Sequence, residues 1–294
     1  ASAAARIQED GSLIIHAGIH DHGCGTVTAM KKIASEIMEI GVEKIQLSEA
    51  DTQNNLYDYG CYASRTVYSI GKAVKECCEG LLKLAEERAA EALGCSRSFL
   101  RYRNGEFYKE MEPEKKISLH QVCRYSIQTM GRDLYYAATT NARENPGVAA
   151  AHFTEVEVDT YTGRVRIKDC LSVHDIGKAI NPEMCIGQVG SGIQQGIGMA
   201  LREEIKIDPK TGRTLITNLK NYENINAWDM PKYRVLFIEE PEESGPFGAK
   251  SIGEVVLVPV APAVVAAVND ALGTNLTHLP LTPSVILEAL EGKG

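Results

Sequence analysis

Apolar and polar positions alternate with two different periods along the chain, and the changes between them predict its elements. Ala4-Ala5-Arg6-Ile7 and Leu13-Ile14-Ile15 flank Asp10-Gly11, a strong signal for a tight hairpin turn. A glycine loop then precedes a helical stripe of Ile33, Ile37 and Ile40, stopped at Gly41, and Lys44–Ser48 reads as a short strand. Residues 53–65 are polar and punctuated by glycine. A long stripe through Val67, Ile70, Val74, Cys77, Leu81, Leu84 and Arg88 predicts a helix from about Arg65 to Leu93, closed by Gly94. Phe99–Tyr108 reads as a hairpin around Asn104-Gly105, and 113–150 is less regular, with a helical stretch near 118–131.

The second half repeats this mixture. Val156 and Val158 alternate before Thr162-Gly163, and Val165 and Ile167 after it. A glycine-laced helix is expected from Met184 to Glu204, a hairpin at Thr211-Gly212, and helices near 260–272 and after Thr282-Pro283. Strands come mainly as hairpins, so the expected class is α+β, with two packed lobes of hairpins and long helices over 1–145 and 146–294. A chain whose first residues are already in a strand pair is expected to have been cut from something longer.

Composition narrows the function. With 44% hydrophobic and 24% charged residues, the 294-residue chain can bury a core and needs no disorder. A net charge of −8 argues against a nucleic-acid partner, and no apolar run is long enough for a membrane span. None of the eight cysteines forms a C-x-x-C pair, which excludes zinc ribbons and iron–sulfur runs from this sequence. Without a signal peptide, the cysteines read as reduced and the protein as cytoplasmic.

Three segments can carry chemistry, each with a plainer alternative. The glycines of Gly18–Thr28 allow close backbone approach to a ligand, and the helix that follows would present free N–H groups to an anion; the alternative is a loop that only turns. In the same loop His20, His22 and Cys24 are zinc-ligand types, but a fourth ligand is missing. The helix Ile186–Gly198 holds five glycines, each costing about 1 kcal/mol relative to alanine. Either a helix packs on its bare backbone or a ligand lies along it, with Gln188 and Gln195 offering amides. In the third segment, Gly245–Glu254, the carboxylate of Glu254 precedes an apolar run. Its desolvation would suit a general base, and the alternative is a helix-terminal charge or a salt-bridge partner.

Taken in order, these motifs resemble the C-terminal part of the molybdenum-binding subunit of the xanthine dehydrogenase/aldehyde oxidase family. The resemblance runs through Gly23-Cys24-Gly25 with Thr28, Glu49-Ala50-Asp51-Thr52, and Tyr62-Ala63-Ser64-Arg65-Thr66. It continues through Asp175-Ile176-Gly177 with Asn181-Pro182, the Gly187-Gln188 to Gln195-Gly196 helix, and Ala249-Lys250-Ser251-Ile252-Gly253-Glu254. It implies an enzyme hydroxylating a carbon next to nitrogen or oxygen, with water as the oxygen source. A purine-like or other N-heterocycle is the leading substrate class and an aldehyde the alternative. Glu254 matches the family's general base. Gly23, Cys24, Gly25, Thr28, Ala63, Ser64, Gln188, Lys250, Ser251, Ile252 and Gly253 match cofactor-contacting positions. The implied cofactor is molybdenum–molybdopterin, the cytosine dinucleotide being one form, and it takes no metal ligands from the protein.

The resemblance also implies a [2Fe-2S] cluster and FAD on other domains or subunits, a first molybdenum domain as partner, and an oligomer. The chain alone is not expected to turn over substrate. Cys24 stands where the family usually has glutamine and cannot make the same amide contacts. A non-catalytic assembly homologue is the contrasting reading, which retention of Glu254 disfavours.

Overall fold

The computed structural model describes residues 1–141 and 143–292. By internal packing the chain divides into two compact units. The first comprises Ala1–Pro146, Gly177–Pro182 and Pro241–Ser251, and the second Gly147–Ile176, Glu183–Glu240 and Ile252–Gly294. Two short segments expected in the second lobe therefore pack with the first.

In the first unit, β1 (Ser2–Ile7) and β2 (Leu13–Ala17) form the expected hairpin, with Ala5 opposite Ile15 and Ile7 opposite Leu13. Alternation places Ala3, Ala5, Ile7, Leu13, Ile15 and Ala17 on the buried face. Helix α1 (Thr26–Met38) crosses over to β3 (Ile45–Leu47), which pairs parallel to β2. The short strand read over Lys44–Ser48 is thus present, and its parallel pairing with β2, which no local signal records, makes the β-α-β crossover.

The long helix begins differently from its apolar stripe. A wide π turn spans Thr66–Ile70, and α2 (Gly71–Leu93) follows. A Cβ on Gly71 would lie 2.9 Å from Ile33 and 3.0 Å from Pro246, so the chain changes helical register where it must pass closest to α1. Strands β4 (Leu100–Arg103) and β5 (Glu106–Lys109) turn at left-handed Asn104 and Gly105, and β6 (Glu112–Ser118) completes a meander. Helix α3 (Leu119–Met130) starts at Ser118 in a capping box with Gln121. Then β7 (Tyr135–Thr139) pairs with β1, giving the sheet order β3-β2-β1-β7. α2 packs on β1 and β7.

The second unit uses the same opening connectivity. Strands β8 (Ala149–Asp159) and β9 (Arg164–Asp175) form a hairpin, α4 (Pro182–Leu201) crosses over, and β10 (Tyr233–Ile238) pairs parallel to β9. Helices α5 (Val260–Leu272) and α6 (Pro283–Glu291) follow. Their apolar side chains and those of α4 cover one sheet face through Val156, Val158, Val165, Ile167, Val235 and Phe237. The hairpin expected at Thr211-Gly212 is reduced to a single bridge between Ile207 and Thr214.

Strand register puts His152 opposite Ser172, with His174 two residues on, facing the same helix-covered side. Ser172 Oγ and His174 Nε2 lie 2.8 Å apart, whereas both ring nitrogens of His152 and Nδ1 of His174 are buried with no hydrogen-bond partner among the described residues. Burial, with a contribution from His174, pushes the His152 imidazole down to about 4. Between there and the ordinary value of 6.5, the unfolded chain binds a proton that the folded chain refuses. Stability is therefore expected to fall as pH drops through that window. Urea midpoints measured from pH 7 to 4 should show the decline, and a His152→Phe variant should flatten it.

Candidate functional site

The candidate residues divide between the two units, and each set is described within its own. In the first unit, Gly23, Cys24 and Gly25 lie between β2 and α1. Gly23 (φ +101°) and Gly25 (φ +74°) are left-handed, and open space surrounds the position a Cβ on Gly23 would take. Asp21 accepts from the backbone N–H groups of Gly23 and Gly25, at 2.9 and 3.1 Å, and this draws the loop into a turn. Gly25 is the N-cap of α1. It offers no side-chain cap, and the first turn carries no acidic residue. The leading N–H groups of a 13-residue helix are thus left for an outside acceptor. Thr28 is exposed on that first turn.

Cys24 Sγ lies 3.5 Å from His22 Nε2, and the His20 and His22 rings meet edge to face. Among the described residues, however, no three His, Cys, Asp or Glu groups are arranged to hold a metal. The turn enforced by Asp21 breaks the alternation that would aim all three at one ion. The zinc reading therefore fails.

Ala63 and Ser64 are consecutive non-glycine residues in the left-handed region (φ 49° and 54°), a conformation that costs about 1 kcal/mol or more per residue. The clamp that holds them is a buried ion pair. Arg65 Nη1 donates to Asp58 at 2.7 Å and to the Gly60 carbonyl at 2.8 Å, with the Asp58 side chain 2% exposed. Sequence reading missed this pair. The signal was available in an Asp and an Arg seven residues apart around a glycine in an otherwise uncharged loop.

Lys250 and Ser251 end the third loop, Pro241–Ser251. Phe247 there is left-handed (φ 53°), Gly177 bridges Ala249, and a Cβ on Gly177 would fall 2.0 Å from the Gly248 carbonyl oxygen. Tyr68 Oη and Ser244 Oγ are 2.6 Å apart. These contacts draw the three loops of the first unit together. Gly18 packs on Asp58, and Gly71 packs between Ile33 of α1 and Pro246.

In the second unit the plain reading of the α4 glycines is largely correct. A Cβ on Gly192 or Gly196 would meet Val256 at 2.6 Å or Val260 at 2.4 Å, and Gly190 faces Tyr233. Gly187 alone among these has nothing within 4 Å. One residue on, Gln188 is half-buried and its amide has no hydrogen-bond partner among the described residues. Gln195, also considered as a ligand contact, is exposed and donates to Ser191 at 3.2 Å.

Ile252 and Gly253 are half-buried and Glu254 is exposed. The apolar setting expected for its carboxylate is absent in this unit. Residues 254–260 form successive turns, with Leu257 N–H donating to the Glu254 carbonyl, and these bury Val256 and Val260 fully while Glu254 and Val258 stay exposed.

Residues 1–231 match the family model described as "Molybdopterin cofactor-binding domain". A curated relative, "Probable hypoxanthine oxidase XdhD" of Escherichia coli, is 30% identical over 97% of this chain and 30% of its own length. The crystal structure of quinoline 2-oxidoreductase from Pseudomonas putida 86 superposes on 99% of this chain and 38% of its own, with TM-score 0.90 and 26% identity. CO dehydrogenase from Oligotropha carboxidovorans does so over 99% and 37%, with TM-score 0.92 and 25% identity. The chain thus spans about a third of the length of these proteins.

Proposed function

The chain belongs to the molybdopterin cofactor-binding domains of the xanthine dehydrogenase/aldehyde oxidase family, and we propose that it is the cofactor-holding part of a cytoplasmic hydroxylase of N-heterocycles. The observation that carries this reading is the uncapped start of α1 behind two left-handed glycines, a backbone cradle suited to a pterin's phosphate. Two further features of the described residues fit the same group. Strain at Ala63 and Ser64 is held by the Arg65–Asp58 clamp, and Gln188 carries an unpartnered amide.

When bound, molybdenum with its pterin dithiolene supplies a two-electron acceptor and activates water for attack on carbon. The chain's own residues hold and orient it. In the first unit Gly23, Cys24 and Gly25 shape the turn, and the N–H groups of Thr26–Thr28 with the Ala63–Ser64 and Lys250–Ser251 segments would hold the group; in the second, Gln188 would offer its amide and Ile252 and Gly253 their backbone. Cys24 cannot bridge as an amide does, and its thiol lies 3.5 Å from His22 Nε2. Glu254 accepts the proton released as the water-derived oxygen adds to the substrate. Per turnover a C–H bond and water become C–OH, two protons and two electrons. A [2Fe-2S] cluster and FAD on other domains or subunits would accept these electrons. A first molybdenum domain would complete the pocket in an oligomeric enzyme, the cytosine dinucleotide being one form of its pterin.

An N-heterocycle is favoured because the relative named above for hypoxanthine and the one named for quinoline both act on such rings, by their names. The complete enzyme, given hypoxanthine or quinoline in isotopically labelled water, should place the label in a new hydroxyl on the ring. Label appearing only in the acid formed from an aldehyde, or an oxygen drawn from O₂, would overturn the reading.

A further inference from the structure

A groove of about 1040 Å³ lies wholly within the second unit, alongside a strand edge that the sheet leaves open. β10 pairs only with Cys170–Asp175 of β9, and no strand or bridge occupies that side of Arg164–Asp169 among the described residues. Six residues present about 20 Å of unpaired edge. Open edges of this kind recruit extended segments unless they are blunted.

The lining states which segment fits. Strand alternation sends Val165 and Ile167 toward an apolar floor that includes Ile197, Leu201 and Ile225. Arg164, Arg166 and Lys168 point to the opposite, exposed side. Five cationic side chains line the groove against two anionic ones, in a chain whose net charge is −8. Some of this charge is already matched: Arg202 pairs with Asp229 at 2.8 Å and Lys168 with Glu157 at 3.1 Å. Arg166 and Lys232 are exposed and make no ion pair among the described residues. At the groove's rim stands Trp228, 97% exposed, on a turn where Asn226 accepts from the Trp228 N–H and Asp229 is fixed by Arg202.

We propose that this groove docks an extended acidic segment of a partner polypeptide, added to the open edge of β9 with alternating apolar and acidic side chains. Its apolar residues lie over Ile197, Leu201 and Ile225, and its carboxylates meet Arg166 and Lys232. Backbone pairing supplies affinity, while the uncompensated cations select for acidic sequence. The inference rests on this unit alone and stands apart from the cofactor reading.

Trp228 is the only tryptophan in the chain, so its fluorescence reports on the groove directly. The purified 294-residue chain is titrated with the hexapeptide acetyl-Glu-Val-Glu-Ile-Glu-Val-amide and with its counterpart carrying Lys for Glu. The acidic peptide should shift Trp228 emission to the blue and saturate, and the basic one should not. Arg166→Glu combined with Lys232→Glu, with unchanged circular dichroism, should weaken the acidic peptide at least tenfold. Should that variant misfold, raising salt on the unaltered chain should weaken binding in the same direction. Equal responses to both peptides, no response at all, or salt-insensitive binding would overturn the proposal. So would a shift produced by adenosine monophosphate while the peptides stay silent, since that would make the groove a nucleotide site.

Discussion

Replacing Glu254 with Gln in the complete enzyme is expected to leave molybdenum and pterin content unchanged and to slow hydroxylation by about 10²- to 10⁴-fold, the usual worth of a general base. Gln keeps the size and hydrogen-bonding reach of Glu but cannot take a proton at Oε. The loss should therefore fall on kcat, with the affinity for substrate little changed. The exposed position of Glu254, at the first of the turns over 254–260, makes the substitution harmless to the core: Val256 and Val260 carry the packing there. That separates a chemical effect from a folding one. Activity retained with the cofactor in place would remove Glu254 from the mechanism. Activity lost together with the cofactor would make it a binding residue.

How far the sequence could be read depended on whether a feature was local. The β1–β2 hairpin was legible because Asp10-Gly11 sits between two apolar runs, and α3 lies within the helical stretch read near 118–131. The crossovers through α1 and α4 were not, since parallel pairing of β2 with β3 and of β9 with β10 depends on residues about 30 and 60 apart. Strands β6 and β7 escaped notice because their exposed residues, Glu112–Ser118 and Tyr135–Thr139, show no clean alternation. The π turn at Thr66–Ile70 lies inside a continuous apolar stripe, and only the close approach of Ile33 and Pro246 to Gly71 accounts for it.

At the candidate site the division was similar. Glycine spacing pointed to the loop before α1, and the structure adds the reason it matters, a helix start with no side-chain cap. The α4 glycines offered two readings with nothing to choose between them. Distances to Val256, Val260 and Tyr233 assign Gly190, Gly192 and Gly196 to packing and leave Gly187 beside Gln188 open. The Arg65–Asp58 clamp follows no period, and its one trace in the sequence is a lone Asp and Arg seven residues apart in an otherwise uncharged loop. Desolvation of Glu254 was inferred from neighbouring valines, yet a turn decides which of them face inward, and the run of letters does not record the turn.

The central claim, that these residues form a molybdopterin-binding domain, concerns the backbone cradle at Gly23–Thr28 and Ala63–Ser64 more than any single side chain. The N–H groups at the start of α1 have no side-chain cap, and the left-handed Ala63 and Ser64 are held by the buried Arg65–Asp58 pair. The direct measurement is the metal and pterin content of the complete enzyme, freshly isolated and active, by elemental analysis and by identification of the pterin released on acid treatment. The account predicts molybdenum and one pterin dithiolene in equal amounts per copy of this chain, with no stoichiometric zinc. Active enzyme carrying neither molybdenum nor pterin would contradict it.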